Sequence, residues 1–158
     1  MGHVFLSFSE QDERVASQIR DKLVQDGLDV WWDSVNAWGD NWAYNLGQAL
    51  EGSDCMIVLV SPASMNSDLV RREIVHAITH ESFRDRVFLA IVKRTSNIPD
   101  FLRSLHAIDL TKDFAAGSQS LVKAIRTAIE TPARSIIRTE SAKRSAGATK
   151  TRRKTIAK

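Results

Sequence analysis

Apolar residues occur in this chain either as short continuous runs or at helical spacing. The most apolar run, CMIVLV at 55–60, is followed by Ser61-Pro62 and is too short for a helix. Its length and β-branched content predict a strand that is buried on both faces of a sheet. A helix is predicted to follow, because Ser67 is a good N-cap and apolar residues then recur at helical spacing over 69–78.

Strand-like and helix-like segments alternate in the same way from residue 3 to about residue 130. Five strands are predicted, at 3–8, 28–32, 55–60, 86–92 and 106–110. Helical spacing is clearest over 15–24, 42–50, 67–78 and 121–129, whereas 63–66 is expected to be a polar connection and 98–105 a short helical or irregular crossover. Strands that alternate with helices indicate a parallel sheet covered on both faces. The predicted fold class is therefore α/β, a flavodoxin-like three-layer fold with a five-stranded parallel sheet.

Charge divides the chain into two parts. The whole chain carries +3, but residues 132–158 hold nine Lys or Arg and one acid, a net +8 that leaves −5 on residues 1–131. Residues after 133 show no periodicity, and such a composition predicts a disordered basic segment. We therefore predict a domain over 1–132 and a disordered basic C-terminal tail over 133–158. The tail could contact nucleic acid without sequence specificity, and a merely solubilising tail is an equal alternative.

Composition also bears on location. The longest apolar run is six residues, so we expect neither a membrane-spanning segment nor a membrane partner. The N-terminus leads directly into the strand at 3–8 without a charged segment, and a signal peptide is not expected. A single cysteine, Cys55, is typical of a reducing compartment. We expect a cytoplasmic protein.

Glu73 is the residue that first suggests chemistry. At about 100° per residue it falls beside the apolar stripe of the helix at 67–78, half out of the core. This position is near the carboxyl end of the strand at 55–60, where open α/β sheets bind their ligands. Phe8 and Ser9, which end the first strand, are expected to face the same crevice. From the residues alone, a solvated carboxylate that pairs with a neighbouring arginine is the alternative.

Three other kinds of site find less support in the sequence. His76 and His80, one turn apart beside Glu73, could hold a metal ion, but no third or fourth ligand is identifiable. A receiver domain needs an aspartate at the end of the third strand, where Ser61 stands. No G-x-G-x-x-G loop follows the first strand, which argues against dinucleotide redox chemistry. We expect no metal and no cofactor.

Five short motifs resemble those of the TIR domain family, in the family's order. They are Val4-Phe5-Leu6-Ser7-Phe8-Ser9 with Asp12, Val30-Trp31-Trp32-Asp33, Gly39-Asp40, Ile57-Val58-Leu59-Val60-Ser61 and Arg72-Glu73-Ile74. The Gly39-Asp40 pair is similar to the turn of the family's long loop after the second strand. The last motif is similar to the glutamate-bearing helix of the NAD-cleaving members. The resemblance covers residues 3 to about 130.

The resemblance implies that this protein is an NAD+ nucleosidase, either an NAD+ glycohydrolase or an ADP-ribose cyclase, in prokaryotic immune defence or signalling. Glu73 would be the catalytic glutamate and NAD+ a substrate. Breaking the nicotinamide–ribose bond develops oxocarbenium character on the sugar, which a carboxylate can stabilise. Nicotinamide leaves as a neutral molecule and needs no general acid. The predicted substrate contacts are Phe8, Ser9, Asp33, Trp38, Gly39, Ser61 and Leu69.

The chain departs from the family pattern at Leu69, where catalytic members commonly carry an aromatic residue; Trp38 could supply an aromatic surface instead. Glu10 is a second departure, since a basic residue is common at or just after the Ser9 position. The resemblance also implies that TIR domains associate, in homo- or hetero-association, to complete the site. One alternative is a non-catalytic TIR adaptor that acts by this association. Another is a nucleoside deoxyribosyltransferase-like enzyme, which shares the fold type and a catalytic glutamate.

Overall fold

A five-stranded parallel sheet is the centre of the computed structural model, which describes residues 2–31, 42–80, 83 and 85–130. The strands are β1 (His3–Ser7), β2 (Asp29–Trp31), β3 (Cys55–Val60), β4 (Val87–Ile91) and β5 (His106–Asp109). Their order in the sheet is β2-β1-β3-β4-β5, and all four pairings are parallel. This is the strand order of flavodoxin-like folds, so the predicted fold class is confirmed.

Helices connect the strands on both sides of the sheet. They are α1 (Glu13–Gln25), α2 (Trp42–Glu51), α3 (Pro62–Met65), α4 (Asp68–Ile78) and α5 (Phe114–Glu130), with 3-10 turns at Glu10–Asp12 and Asp100–Leu102. As predicted, α4 begins after Ser67, whose hydroxyl accepts a hydrogen bond from the backbone N–H of Val70. Within these described ranges, no helix is long and apolar enough to cross a membrane.

The short helix α3 corrects the expectation of a polar connection at 63–66. Ser61 and Ser64 form a capping box, in which each hydroxyl accepts a hydrogen bond from the other residue's backbone N–H. Pro62 occupies the first turn, where a missing backbone N–H costs little. Ser61 and Pro62, which follow the strand in the sequence, therefore also begin a helix.

β3 supplies side chains to two separate apolar layers. Met56, Val58 and Val60 pack with α2, α3 and α4 on one side of the sheet, here called the α2–α4 face. Cys55, Ile57 and Leu59 pack with α1 and α5 on the other side, the α1–α5 face. All six residues are 0% exposed, which confirms the prediction of a strand buried on both faces.

β1 alternates in the same way and thereby sets the direction of its last side chain. Phe5 packs on the α2–α4 face, whereas Val4 and Leu6 pack on the α1–α5 face. Because successive side chains of a strand point to opposite faces, Ser7 points to the same face as Phe5. The end of β1 therefore presents a small polar side chain to the layer that contains α4.

Candidate functional site

Glu73 and Ser7 form a buried polar pair at the carboxyl edge of the sheet. Ser7 Oγ donates a hydrogen bond of 2.6 Å to Glu73 Oε1, and each residue is only 2% exposed. The burial corrects the expectation of a carboxylate half out of the core. The buried residues of α4 are Val70, Glu73, Ile74 and Ala77, so Glu73 lies within the stripe that packs on the sheet. The alternative of a solvated carboxylate is therefore wrong.

Burial changes the acidity of this carboxyl group. The pKa of Glu73 is raised from 4.5 to about 7, because desolvation by burial raises it more than the hydrogen bond from Ser7, which favours the ionised form, lowers it. Near neutral pH the side chain is consequently divided between its protonated and ionised forms. A carboxyl group with such a pKa at the strand ends of an open sheet is typical of a functional site.

Ser7, the hydrogen-bond partner of Glu73, is not among the site residues predicted from the sequence, where it belongs only to a motif. The signal that could have found it is the period of two along β1, because Phe5 and Ser7 share a face. Recognising its role also required knowing that α4 covers that face. This follows from the topology of the sheet rather than from any local pattern.

Three other predicted contacts lie on β1's C-terminal side or on α4. Phe8 packs on the α1–α5 face, on the other side of the sheet from Glu73. The Ser9 side chain caps the following 3-10 turn. Leu69 is half-buried, one helical turn before Glu73. The contacts of Phe8, Ser9 and Leu69 with a substrate stay predictions.

A second buried carboxylate lies at the same edge of the sheet. Asp12 Oδ2 accepts a hydrogen bond from Ser61 Oγ, and Lys93 Nζ lies 3.9 Å from Asp12 Oδ1. Among the described residues, no group donates a hydrogen bond to that Oδ1. This connection ties the start of α1 to the ends of β3 and β4. Ser61 both donates to Asp12 and caps α3. Its predicted contact with a substrate stays a prediction.

Three predicted contacts, Asp33, Trp38 and Gly39, lie outside the described residues. The loop at 34–41 and the basic tail at 133–158 lie outside them as well.

The two histidines considered as metal ligands lie close together, His76 in the last turn of α4 and His80 just beyond its end. The ring centroids of His76 and His80 are 6.2 Å apart, with the rings tilted by 36°. In the part of the chain that the structure describes, no group of three or more His, Cys, Asp or Glu residues is placed to hold a metal ion.

Comparison with protein families gives one match, which covers most of the chain. Residues 4–126 match the family model described as the TIR domain. Comparison with curated protein sequences finds no match.

Solved structures with the same fold include receptors and an enzyme. The TIR domain of a Toll-related receptor from Hydra magnipapillata aligns with a TM-score of 0.66 at 20% identity, over 80% of this chain and 99% of that one. A metazoan TIR-STING receptor from C. gigas aligns with a TM-score of 0.64 at 22% identity, over 84% of this chain and 40% of that one. A CMP N-glycosidase from Clostridium botulinum aligns with a TM-score of 0.53 at 18% identity, over 79% of this chain and 98% of that one. At these identities the likeness shows the fold alone.

Proposed function

Because this chain belongs to the TIR domain family, we propose that it is an NAD+ nucleosidase in which Glu73 acts on the nicotinamide–ribose bond. The observation that carries the proposal is the Glu73 carboxyl group itself. It is buried at the end of β1, hydrogen-bonded to Ser7, and its pKa is raised to about 7. Membership of the family supports the fold, and the assignment of NAD+ as substrate goes beyond it.

The chemistry requires one anionic group. When the bond between ribose C1′ and the nicotinamide nitrogen breaks, its electron pair stays on nicotinamide, which leaves as a neutral molecule. The positive charge then lies on the ribose, where an ionised carboxylate stabilises it. That stabilisation is stronger at a desolvated site than in water. Ser7 holds Oε1 of Glu73, and we assign Oε2 to the sugar.

The ribosyl cation is then captured by a nucleophile. Attack of water at C1′, with loss of a proton, gives ADP-ribose, so the overall reaction converts NAD+ and water into nicotinamide, ADP-ribose and a proton. Attack by another group of the same nucleotide would give a cyclic product. Either outcome leaves the role of Glu73 unchanged.

Access to Glu73 sets a further requirement. Since the side chain is only 2% exposed, a sugar can reach it only if the surrounding structure rearranges locally. TIR domains commonly associate with one another, and we propose that homo- or hetero-association accompanies this rearrangement. We place the activity in the cytoplasm, in prokaryotic immune defence or signalling.

Release of nicotinamide from NAD+ tests the proposal. Purified protein is assayed over a wide range of concentrations, with Glu73→Gln as the test variant and Glu51→Gln as a control, because Glu51 is exposed at the end of α2. We expect the wild type and the control to release nicotinamide, with a specific activity that rises with protein concentration. Glu73→Gln should be slower by about 100-fold or more, as is typical when a preorganised electrostatic group is removed.

The other possible functions predict different results. A TIR adaptor would associate but release no nicotinamide at any concentration. A nucleoside deoxyribosyltransferase-like enzyme would exchange bases between deoxynucleosides. Release of cytosine from CMP without cleavage of NAD+ would contradict the choice of substrate while retaining cleavage of an N-glycosidic bond.

A further inference from the structure

An open cleft of about 480 Å³ lies beyond the ends of β4 and β5. The last residues of these strands, Ile91 and Asp109, are paired in the sheet and both line the cleft. Neighbouring strands are about 4.8 Å apart, which places the cleft about 12 Å across the sheet from Ser7 on β1. Neither Ser7 nor Glu73 lines the cleft, which is therefore separate from that pair.

Two cationic side chains in the cleft favour an anionic ligand. Arg94 and Lys112 both line it. A guanidinium offers paired N–H donors that match the oxygens of a phosphate, and an ammonium adds a compact positive charge. The Thr95 hydroxyl oxygen, also in the lining, accepts a hydrogen bond of 3.2 Å from the backbone N–H of Asn97. Its O–H can therefore donate to a ligand.

Asp109 places a negative charge in the cleft beside its two cations. Its Oδ1 accepts hydrogen bonds from the backbone N–H and the hydroxyl of Thr111, at 2.8 and 2.6 Å. These bonds hold the pKa of Asp109 below its ordinary value, and the nearby cations Lys112 and Arg94 lower it further. A carboxylate beside two cations suits a ligand that carries hydroxyl groups as well as phosphate, because acidic side chains accept hydrogen bonds from ribose hydroxyls in nucleotide sites.

The remaining lining of the cleft consists of two isoleucines and Ser96. Ile91 and Ile98 line it and are partly buried against the apolar layer of the α2–α4 face. The loop between them is connected to the end of α3 by a hydrogen bond of 3.4 Å from Asn97 Nδ2 to Asn66 Oδ1. An apolar floor with a few convergent polar groups, in a volume of several hundred Å³, is typical of sites for small organic ligands.

We infer that this cleft binds a nucleoside phosphate. Arg94 and Lys112 bind the phosphate, Asp109 accepts a hydrogen bond from a ribose hydroxyl, and Ile91 and Ile98 contact a ring of the ligand. The inference goes beyond the proposed cleavage of NAD+ and does not depend on it.

Isothermal titration calorimetry of the full chain with AMP tests the inference. The test variant combines Arg94→Ala with Lys112→Ala. The control combines Lys22→Ala with Lys123→Ala, which removes the same charge from α1 and α5. We expect the wild type and the control to bind AMP with the same Kd, and the test variant to bind at least about ten-fold more weakly. Adenosine should bind the wild type about ten-fold more weakly than AMP, and added salt should weaken AMP binding.

Two further variants make the result specific. Asp109→Ala should remove most of the preference for AMP over 2′,3′-dideoxy-AMP, because the acceptor for the ribose hydroxyls is gone. Glu73→Gln should bind AMP as the wild type does, whether or not the protein cleaves NAD+. The inference is overturned if the wild type binds no AMP, if Arg94→Ala with Lys112→Ala binds it unchanged, or if Glu73→Gln abolishes binding.

Discussion

Glu73 links the proposed chemistry to the stability of the fold at the scale of a single residue. A carboxyl group whose pKa rises on folding from 4.5 to about 7 is protonated more in the folded state than in the unfolded state between those values. Stability contributed by the neutral form is therefore present below about pH 4.5 and is lost as pH rises through about 7. At 1.36 kcal/mol per unit, the ionised group lowers stability by about 3 kcal/mol. Loss of stability at a reactive group is common in active sites.

Glu73→Gln should therefore stabilise the protein in a pH-dependent way. Gln keeps the shape of the side chain and an oxygen that can accept the hydrogen bond from Ser7, but it carries no charge. We expect the free energy of unfolding, measured by urea denaturation, to exceed that of the wild type by about 1–3 kcal/mol at pH 8 and to match it near pH 4.5. Glu51→Gln serves as the control. A difference that is the same at both pH values would show that the Glu73 pKa is not raised.

Ser7→Ala should shift the pH dependence of activity. The hydrogen bond from Ser7 lowers the pKa of Glu73, so its removal should raise the pH at half-maximal kcat/KM by about one unit. Activity at higher pH should recover toward the wild-type plateau. Ser7 positions the carboxylate and favours its ionised form, and the carboxylate itself is still present in Ser7→Ala. An unchanged midpoint with uniformly lower activity would contradict this role.

At the scale of secondary-structure elements, the contact of α5 with β5 is unusually close at Gly117. A Cβ atom built there would lie 2.9 Å from the Asp109 carbonyl oxygen and 3.0 and 3.1 Å from two atoms of Leu110. Two of these three atoms belong to the backbone, and displacing backbone costs more free energy than turning a side chain. The absence of a side chain at this position therefore sets how closely α5 approaches β5, the strand whose last residue, Asp109, lines the cleft.

Gly117→Ala should destabilise the protein despite the higher helix propensity of alanine. We expect the free energy of unfolding to fall by about 1–3 kcal/mol, as in other overpacked sites. Gly47→Ala in α2 is the matched control, because among the described residues a Cβ there would meet only His76 Nε2, at 3.8 Å. That control should gain up to about 1 kcal/mol. Equal effects of the two substitutions in urea denaturation would contradict the close approach of α5.

Elements with strong local signals could be predicted from the sequence, whereas their relative placement could not. β3 has a continuous apolar run and α4 has its Ser67 cap, and these local signals predict both elements. The sequence also indicates Glu73, but a helical wheel at 100° per residue places it beside the apolar stripe. Its burial and its pairing with Ser7 depend on which face of β1 is covered by α4. That information is in the topology of the sheet and not in either segment.

At the scale of the whole molecule, the candidate site and the cleft lie at one edge of the sheet. The carboxyl ends of β1, β3, β4 and β5 hold the Glu73–Ser7 pair, the Asp12–Ser61 pair and the cleft of Arg94 and Lys112. Apolar layers cover both faces of the sheet. A ligand can therefore approach β3 at the strand ends and not through either face. The charge of the chain is distributed separately, with −5 over residues 1–131 and +8 beyond them.

The basic tail should act independently of this edge. Deletion of residues 134–158 should remove retention on DNA or RNA columns, because its cationic side chains release counterions on contact with phosphates and give an affinity that falls steeply with salt. Thermal stability and nicotinamide release should stay at the values of the full chain. Unchanged nucleic-acid retention after the deletion would assign that binding to the domain instead.

The pH dependence of kcat/KM for nicotinamide release tests the central claim most directly, since it reports the ionisation of the free enzyme. The wild type is measured at fixed protein concentration between about pH 5 and 9, where protonation of Glu73 varies most. The account predicts a rise of about ten-fold per pH unit that ends in a plateau above about pH 7, with Glu73→Gln inactive throughout. A profile that is flat or falls with pH, or that persists in Glu73→Gln, would contradict cleavage of NAD+ by the ionised Glu73 carboxylate.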